Sequence, residues 1–271
     1  MPVISHGDIE IEHSDAGDGD GPSVVLIHCS VSGLRQWRTL TDVLSDRYRV
    51  RALNLYGYGA TTPWPEHETQ TLEAQARLVV AACEGLGEPV SLVGHSFGGT
   101  VALRAATLLG SRVGSMVLIE PNPVYLLAQG GCDEEFAEVR ALRDHVKRFG
   151  ALGEWETVAE RFADYWVGDG TWSAMPDARR AAFTDLLPPN FHEWDAAMGE
   201  QTTVEDLAAL GCRTLVLSDP ATRRPIRAIA EILEQACPDW TFRDIPAGGH
   251  MAPLTRPDLV DPMVRAFLDA G

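Results

Sequence analysis

The chain has 271 residues and a mass of 29.5 kDa, which is enough for one large α/β domain with room for an insertion. Its 22 Lys and Arg residues stand against 39 Asp and Glu residues, a formal net charge of −17. An excess of negative charge of this size argues against nucleic acid as a partner. No apolar run approaches the roughly 18 residues that a membrane span needs, so we expect no membrane partner either.

The N-terminal sequence and the cysteines predict a cytoplasmic location. Residues 1–13, MPVISHGDIEIEH, contain no basic stretch followed by an apolar one, the pattern that a signal peptide would show. The five cysteines are scattered without a C-x-x-C pair, which favours free thiols over a disulfide framework or a zinc site. The composition is compatible with a homodimer.

The first half of the chain alternates predicted strands and helices. Weak alternation over residues 3–13 predicts an antiparallel edge hairpin, and the apolar residues 24–28 predict a buried strand. Residues 33–46 are predicted to be helical, 48–55 to form a strand, and 69–87 to form an amphipathic helix that ends at its glycine.

The stretch VSLVGHSFGGTVALRAAT, residues 90–107, predicts a buried strand, a tight turn and a helix. Its turn is a G-x-S-x-G centred on Ser96. A serine between a strand and a helix is held in a strained conformation with its hydroxyl exposed, and flanking glycines remove the Cβ atoms that would clash. The helix start supplies free N–H groups that can stabilise an oxyanion. Ser96 is therefore the predicted nucleophile.

The second half of the chain returns to the same alternation after an interruption. Strands are predicted over residues 115–120, 214–218 and 240–245, and helices over residues 225–236 and 257–270. This alternation predicts an α/β fold with a doubly wound, mostly parallel sheet.

Residues 121–206 do not fit that alternation, and their pattern is helical. We interpret them as a helical cap inserted into a core made of residues 1–120 and 207–271. The segment is rich in aromatic side chains, which together predict an apolar roof over a pocket. To the pocket we assign Cys29, Tyr125, Trp166, Trp172 and Met251.

Four motifs in this order resemble those of the α/β-hydrolase superfamily, over nearly the whole chain. They are the G-x-S-x-G of residues 94–98, the loop His28-Cys29-Ser30 that is similar to an "HG-x" oxyanion loop, NLYGYG at 54–59, and GGHMAPL at 248–254. The resemblance implies an oxyanion hole made by the backbone N–H groups of Ser30 and Phe97. It also implies that His250, in the loop after the last strand, is the general base for Ser96.

The third member of the implied triad has two candidates. Many members of the superfamily carry the acid in a "G-x-x-D" turn after the penultimate strand, but here Thr222 stands at that position and Asp219 lies three residues early. Glu120, at the end of the preceding strand, is the alternative that we favour, because some branches place the acid there and a glutamate has the longer reach. Ser96, Glu120, Asp219 and His250 all follow strands, so we expect them at one edge of the sheet.

A serine nucleophile excludes the branches that use an aspartate at this position, the haloalkane dehalogenases and epoxide hydrolases. The expected reaction is acyl transfer to water from a small ester, lactone or thioester of a moderately apolar acid, with no metal and no organic cofactor. Carbon–carbon bond hydrolysis and hydroxynitrile lysis use the same triad, and a ligand receptor with slow turnover on a hydrolase scaffold is a further alternative.

Overall fold

The computed structural model of the protein describes residues 2–17 and 19–271. Its strands are β1 (Val3–His6), β2 (Ile9–Ala16), β3 (Ser23–Ile27), β4 (Arg49–Leu53), β5 (Val90–His95), β6 (Val113–Ile119), β7 (Arg213–Ser218) and β8 (Thr241–Asp244). They form one sheet in the order β1-β2-β4-β3-β5-β6-β7-β8.

The sheet is mostly parallel, as the alternation of strands and helices predicted. Among the described strands only the pairs β1/β2 and β2/β4 are antiparallel, so the predicted N-terminal hairpin lies at one edge of the sheet. From β4 across to β8 every neighbouring pair is parallel. Every residue of β3 is buried, which agrees with a central strand covered by helices on both faces of the sheet.

The helices fall into two groups. Those of the alternating core are α1 (Arg38–Leu44), α2 (Leu72–Ala82), α3 (Phe97–Leu109), α11 (Arg224–Ala236), α12 (Ala252–Thr255) and α13 (Pro257–Asp269). Those between β6 and β7 are α4 (Tyr125–Gln129), α5 (Asp133–Gly150), α6 (Trp155–Val167), α7 (Thr171–Ala174), α8 (Asp177–Asp185), α9 (Pro188–Gly199) and α10 (Val204–Ala208). The second group has the helical character predicted for residues 121–206; its separation as a cap domain stays a prediction.

Two predicted helices are shorter in the structure than their patterns suggested. The helix predicted over residues 33–46 is a 3₁₀ turn, Leu34–Trp37, followed by α1. The helix predicted from residue 69 begins at Leu72, because Thr71 is extended and its hydroxyl accepts the N–H of Ala74 at 3.1 Å. A threonine that caps in this way marks the start of a helix.

None of the helices in the described residues is both long enough and apolar enough to span a bilayer.

Candidate active site

Ser96 occupies a sharp turn between β5 and α3, with φ 54° and ψ −120°. The glycines beside it are required by close contacts. A Cβ atom on Gly94 would lie 2.4 Å from the carbonyl oxygen of Gly98, and one on Gly98 would lie 2.2 Å from that of Ile27. The G-x-S-x-G pattern therefore marks the places where backbone segments approach too closely for any side chain.

Backbone strain is concentrated at this site. Among the described residues, the non-glycine residues with positive φ are Val31 at 56°, Ser96 at 54° and Glu120 at 48°. Such conformations cost on the order of 1–3 kcal/mol each and persist where the surrounding structure enforces them. They follow β3, β5 and β6, three neighbouring strands of the sheet, and their loops converge at its carboxyl edge.

Ser96, His250 and Glu120 form a hydrogen-bonded chain. The Ser96 hydroxyl donates to Nε2 of His250 at 2.8 Å, and Nδ1–H of His250 donates to Oε2 of Glu120 at 3.2 Å. These directions follow because an ionised carboxylate can only accept. The ring proton of His250 therefore lies on Nδ1, which leaves Nε2 as the acceptor for the Ser96 hydroxyl. The three residues are at most 5% exposed. A hydroxyl, an imidazole and a carboxylate in this order can move a proton from the hydroxyl to the imidazole.

The structure brings Glu120, and not Asp219, to the ring of His250. Glu120 is held by the Thr222 hydroxyl, which donates to Oε2 at 2.5 Å, and by the Asp219 N–H, which donates to Oε1 at 2.6 Å. Thr222, at the position where the resemblance placed an acid, thus supports the acid from the neighbouring strand.

Asp219 has a different set of partners. Its Oδ1 accepts the N–H of Ala221 and its Oδ2 accepts the N–H of Gly249, both at 2.8 Å. It therefore joins the turn after β7 to the loop that carries His250.

Ser30 and Phe97 leave their backbone N–H groups available. Neither group donates to another atom in the described structure, and both residues line the cavity that contains Ser96. The N–H of Phe97 is free because it opens helix α3, whose first turn has no intrahelical acceptors for its N–H groups. Two free donors beside a nucleophile are what an oxyanion hole requires.

A chain of hydrogen bonds connects the oxyanion loop with the histidine loop. Cys29 N–H donates to Oε1 of Gln36 at 3.1 Å, and Nε2 of Gln36 donates to Nδ1 of His95 at 3.0 Å. Nε2–H of His95 then donates to the carbonyl oxygen of His250 at 2.8 Å. Sequence reasoning missed Gln36, because an isolated glutamine in a helical turn carries no motif.

Burial keeps the neighbouring titratable groups neutral. It lowers the pKa of His95 to about 3 and that of His28 to about 4, and it raises the pKa of the Cys29 thiol to about 12. His28 lies beneath the oxyanion loop, where Nδ1–H donates to the carbonyl oxygen of Cys29 at 2.7 Å and Nε2 accepts the N–H of Leu55 at 3.1 Å. Cys29 therefore lacks the thiolate that a competing nucleophile needs.

We expect His28 to make folding stability depend on pH. Its pKa is about 4 in the folded protein against 6.5 as the reference value, so between these limits the unfolded chain binds the extra proton. Stability is fully present above pH 6.5 and falls as the pH drops through 4, by about 1.4 kcal/mol per pH unit for this residue. Urea unfolding at pH 7.5, 5.5 and 4.5 should show this slope.

The variant His28→Gln supplies the control, since a glutamine can donate to Cys29 and accept from Leu55 but does not titrate. The slope of its unfolding free energy against pH should be smaller than in the unmodified protein, with the part due to His95 remaining. Equal slopes in the two proteins would contradict the assignment.

A small, mostly apolar cavity opens beside Ser96, between the sheet edge and the helices α6, α8 and α9. Three of the predicted pocket residues, Cys29, Trp166 and Met251, line it. The ring of Trp166 stacks on that of His250, with 4.3 Å between centroids and 27° between planes, so it covers one face of the base.

The other two predicted pocket residues, Tyr125 and Trp172, are not among the residues that line the cavity. The rings of Trp172 and Phe183 lie with 6.4 Å between their centroids, and the Arg180 guanidinium lies over the Trp172 ring at 5.7 Å. Tyr125 is buried in the hydrophobic core at the start of α4. Helical spacing does not reveal which face of a helix meets the cavity, so the sequence could not separate these two residues from those that line it.

Helix α9 contributes to the cavity two polar residues, Asn190 and Glu193, that sequence reasoning missed. Asn190 Oδ1 accepts the indole N–H of Trp194 at 2.9 Å, and Trp194 is one of the aromatic residues of the predicted roof. The sequence signal that could have found them is the spacing of three and four residues between positions 190, 193 and 194, which places their side chains on one face of a helix.

No three side chains of His, Cys, Asp or Glu lie together as metal ligands within the described ranges. The polar groups of the cavity are instead arranged around Ser96.

Comparison with known proteins gives one family match over most of the chain. Residues 24–262 match the model of the alpha/beta hydrolase family. Among curated relatives, the polyketide synthase ThaQ of Burkholderia thailandensis is 30% identical over 93% of this chain, which spans only 12% of that protein. The pimeloyl-[acyl-carrier protein] methyl ester esterase of Methylococcus capsulatus is 29% identical over 53% of this chain and 52% of its own length.

Solved structures show the same fold over the full length. A thermophilic esterase from Thermogutta terrifontis superimposes with a TM-score of 0.75 at 25% identity, covering 99% of this chain and 97% of its own.

Proposed function

The chain belongs to the alpha/beta hydrolase family, and on that basis we propose that it hydrolyses an ester or lactone through an acyl-enzyme on Ser96. The observation that carries the proposal is the hydrogen-bonded chain from Ser96 through His250 to Glu120. The esterase names of two of the similar proteins support the same reaction class.

The geometry supplies each step of such a reaction. As the Ser96 oxygen attacks the carbonyl carbon, Nε2 of His250 takes the hydroxyl proton and Glu120 stabilises the imidazolium. The N–H groups of Ser30 and Phe97 hold the negative charge that develops on the carbonyl oxygen. His250 then gives its proton to the leaving alkoxide, so that the carbon–oxygen bond breaks and the acyl group stays on Ser96.

Deacylation repeats these steps with water as the nucleophile. His250 takes a proton from the water that attacks the acyl carbon, and it returns this proton to the Ser96 oxygen as the acid leaves. The apolar walls of the cavity, which include Phe162, Phe183 and Met251, suit the hydrocarbon part of a substrate.

The proposal is tested with a fluorophosphonate probe and a substrate panel. We expect the probe to label the folded protein on the peptide that contains Ser96, as located by mass spectrometry, and not to label heat-denatured protein. A panel of p-nitrophenyl esters and of aliphatic and aromatic lactones should contain at least one substrate. Labelling at Ser96 without turnover of any member would favour the receptor alternative, and absence of both would remove the hydrolase proposal.

A further inference from the structure

Trp166, near the end of α6, covers one face of the His250 ring. The centroids of the two rings are 4.3 Å apart and their planes meet at 27°, so no water fits between them. Trp166 is 9% exposed and His250 is 5% exposed. The edge of the His250 ring is held by its hydrogen bonds to Ser96 and Glu120. The contacts at the face and at the edge together fix the ring in one orientation.

Trp166 is itself held by its neighbour on the helix. The Tyr165 ring meets the Trp166 ring edge-on, with 4.8 Å between centroids and 87° between planes. The Tyr165 hydroxyl donates to Oε1 of Glu138 on α5 at 2.8 Å, and the Arg223 guanidinium lies over the Tyr165 ring at 4.1 Å. A guanidinium, a phenol and an indole therefore contact one another in succession behind the imidazole.

Arg223 also closes the C-terminal end of α6. Its Nε donates to the carbonyl oxygen of Tyr165, and its Nη2 donates to that of Asp164 at 3.4 Å. Carbonyl groups in the last turn of a helix lack intrahelical partners, and an arginine side chain can satisfy them. Arg223 directly follows Thr222, whose hydroxyl donates to Glu120. The turn after β7 thus supports both the acid at the edge of the imidazole and the helix end at its face.

We propose that Trp166 is a positioning residue, which holds the imidazole of His250 in place and stabilises the imidazolium that forms during catalysis. The inference rests on the proposed function, because that function makes His250 the base. The face of an aromatic ring carries negative partial charge and attracts a cation within about 6 Å of its centroid. The positive charge appears as His250 takes the Ser96 proton, so the attraction is stronger in the transition state than in the resting enzyme.

The other charged and titratable groups around the His250 ring stay the same when Trp166 is replaced. Glu120 accepts from Nδ1, and the His95 ring lies at 5.4 Å between centroids. Burial lowers the pKa of His95 to about 3, so that ring is neutral. Asp219 accepts from the backbone of the histidine loop. The further groups near the ring are two that line the cavity, Cys29 and Glu193, and one behind Tyr165, Arg223.

Phenylalanine and leucine at position 166 separate the effect of an aromatic face from that of the cavity wall. Both side chains are smaller than the indole, but only Trp166→Phe keeps an aromatic face. It also removes an indole N–H that has no partner in the described part of the chain. We expect kcat on the best ester or lactone to fall by about threefold or less in Trp166→Phe and by about tenfold or more in Trp166→Leu. KM should change by a similar factor in both variants, since Trp166 lines the cavity.

Protonation of the His250 ring tests the inference without a substrate. NMR of protein labelled with ¹⁵N-histidine measures the pH at which this ring is half protonated, and the signals are assigned by their loss in His250→Gln. The midpoint should lie lower in Trp166→Leu than in Trp166→Phe by about half a pH unit or more, because the imidazolium has lost its aromatic face.

Substitutions of Arg223 test the support of the helix end while the cavity wall stays intact. Arg223→Gln removes the cation from the Tyr165 ring and should lower kcat by about threefold or more, whereas Arg223→Lys should keep part of the rate because it keeps the charge. Arg224 is the matched control, since its ion pairs are with Glu134 and Glu135 on α5. Arg224→Gln should keep the full rate.

Equal kcat values and equal midpoints in Trp166→Leu and Trp166→Phe would overturn the inference, because the loss of a cavity wall alone affects both variants alike. Thermal unfolding shows whether the variants fold. If Trp166→Leu does not, the Arg223 comparison decides, and equal rates in Arg223→Gln and Arg224→Gln overturn the inference. A lower midpoint in Trp166→Leu together with cleavage that does not depend on Ser96 would contradict the proposed function and support the effect of Trp166 on the imidazolium.

Discussion

Replacing Ser96 with alanine is expected to lower kcat on the best ester or lactone by about 10⁵- to 10⁶-fold, the loss seen when a serine nucleophile is removed from such a triad. The hydroxyl donates to His250 at 2.8 Å, and no other side chain in the described structure occupies a comparable position beside the base. Cys29 lies nearby, but burial raises its thiol pKa to about 12, so it cannot replace the serine. Discontinuous assays at high enzyme concentration would measure the residual rate of the Ser96→Ala protein.

The control for this variant is Ser173→Ala, at an exposed serine on α7, which should retain the full rate. Thermal unfolding should show that the Ser96→Ala protein is folded, since alanine keeps the Cβ atom and leaves the backbone conformation at this position unchanged. A folded Ser96→Ala protein with an unreduced rate would disprove the acyl-enzyme mechanism.

Replacing Glu120 with glutamine is expected to lower kcat by about 10³- to 10⁴-fold. An amide at this position can donate to Nδ1 of His250, which would place the remaining ring proton on Nε2 and prevent it from accepting the Ser96 proton. Of the two neighbouring donors, the Thr222 hydroxyl and the Asp219 N–H, one would still donate to the remaining side-chain oxygen. The substitution would therefore mainly change the tautomer of the His250 ring and remove the negative charge beside it. The measurement is kcat over a range of pH.

Asp219→Asn is the matched carboxylate control. Its side chain accepts from Ala221 and Gly249, and an asparagine preserves one of these bonds. We expect a loss of about tenfold or less, the effect of weakening one hydrogen bond that positions the histidine loop. A larger loss in Asp219→Asn than in Glu120→Gln would reverse the assignment of the acid.

The strands, the helices and the sharp turn that carries Ser96 could be predicted from the sequence because their signals are local. An apolar β-branched run, two glycines and a small-residue helix define the turn around Ser96 without reference to distant residues. The choice between Glu120 and Asp219 could not be made in the same way. Both follow neighbouring strands, and their roles are separated by the partners Thr222 and Gly249, which the chain brings together only when it folds.

The cavity walls were the least predictable part of the site. Trp166 and Trp172 lie on consecutive helices in an equally aromatic segment, yet the first stacks on His250 and the second is not among the residues that line the cavity. Which face of each helix meets the sheet edge depends on the packing of all the helices between β6 and β7. Glu193 was missed for the related reason that charged residues on helices are usually exposed.

The three members of the proposed triad follow strands with different numbers of neighbours in the sheet. Ser96 and Glu120 follow β5 and β6, which are hydrogen-bonded to each other and flanked by further strands. His250 follows β8, which among the described strands pairs with β7 alone. Edge elements open at a lower free energy than central ones. In the proposed reaction, local unfolding of β8 would separate His250 from Ser96 and interrupt proton transfer while Ser96 and Glu120 stay in place.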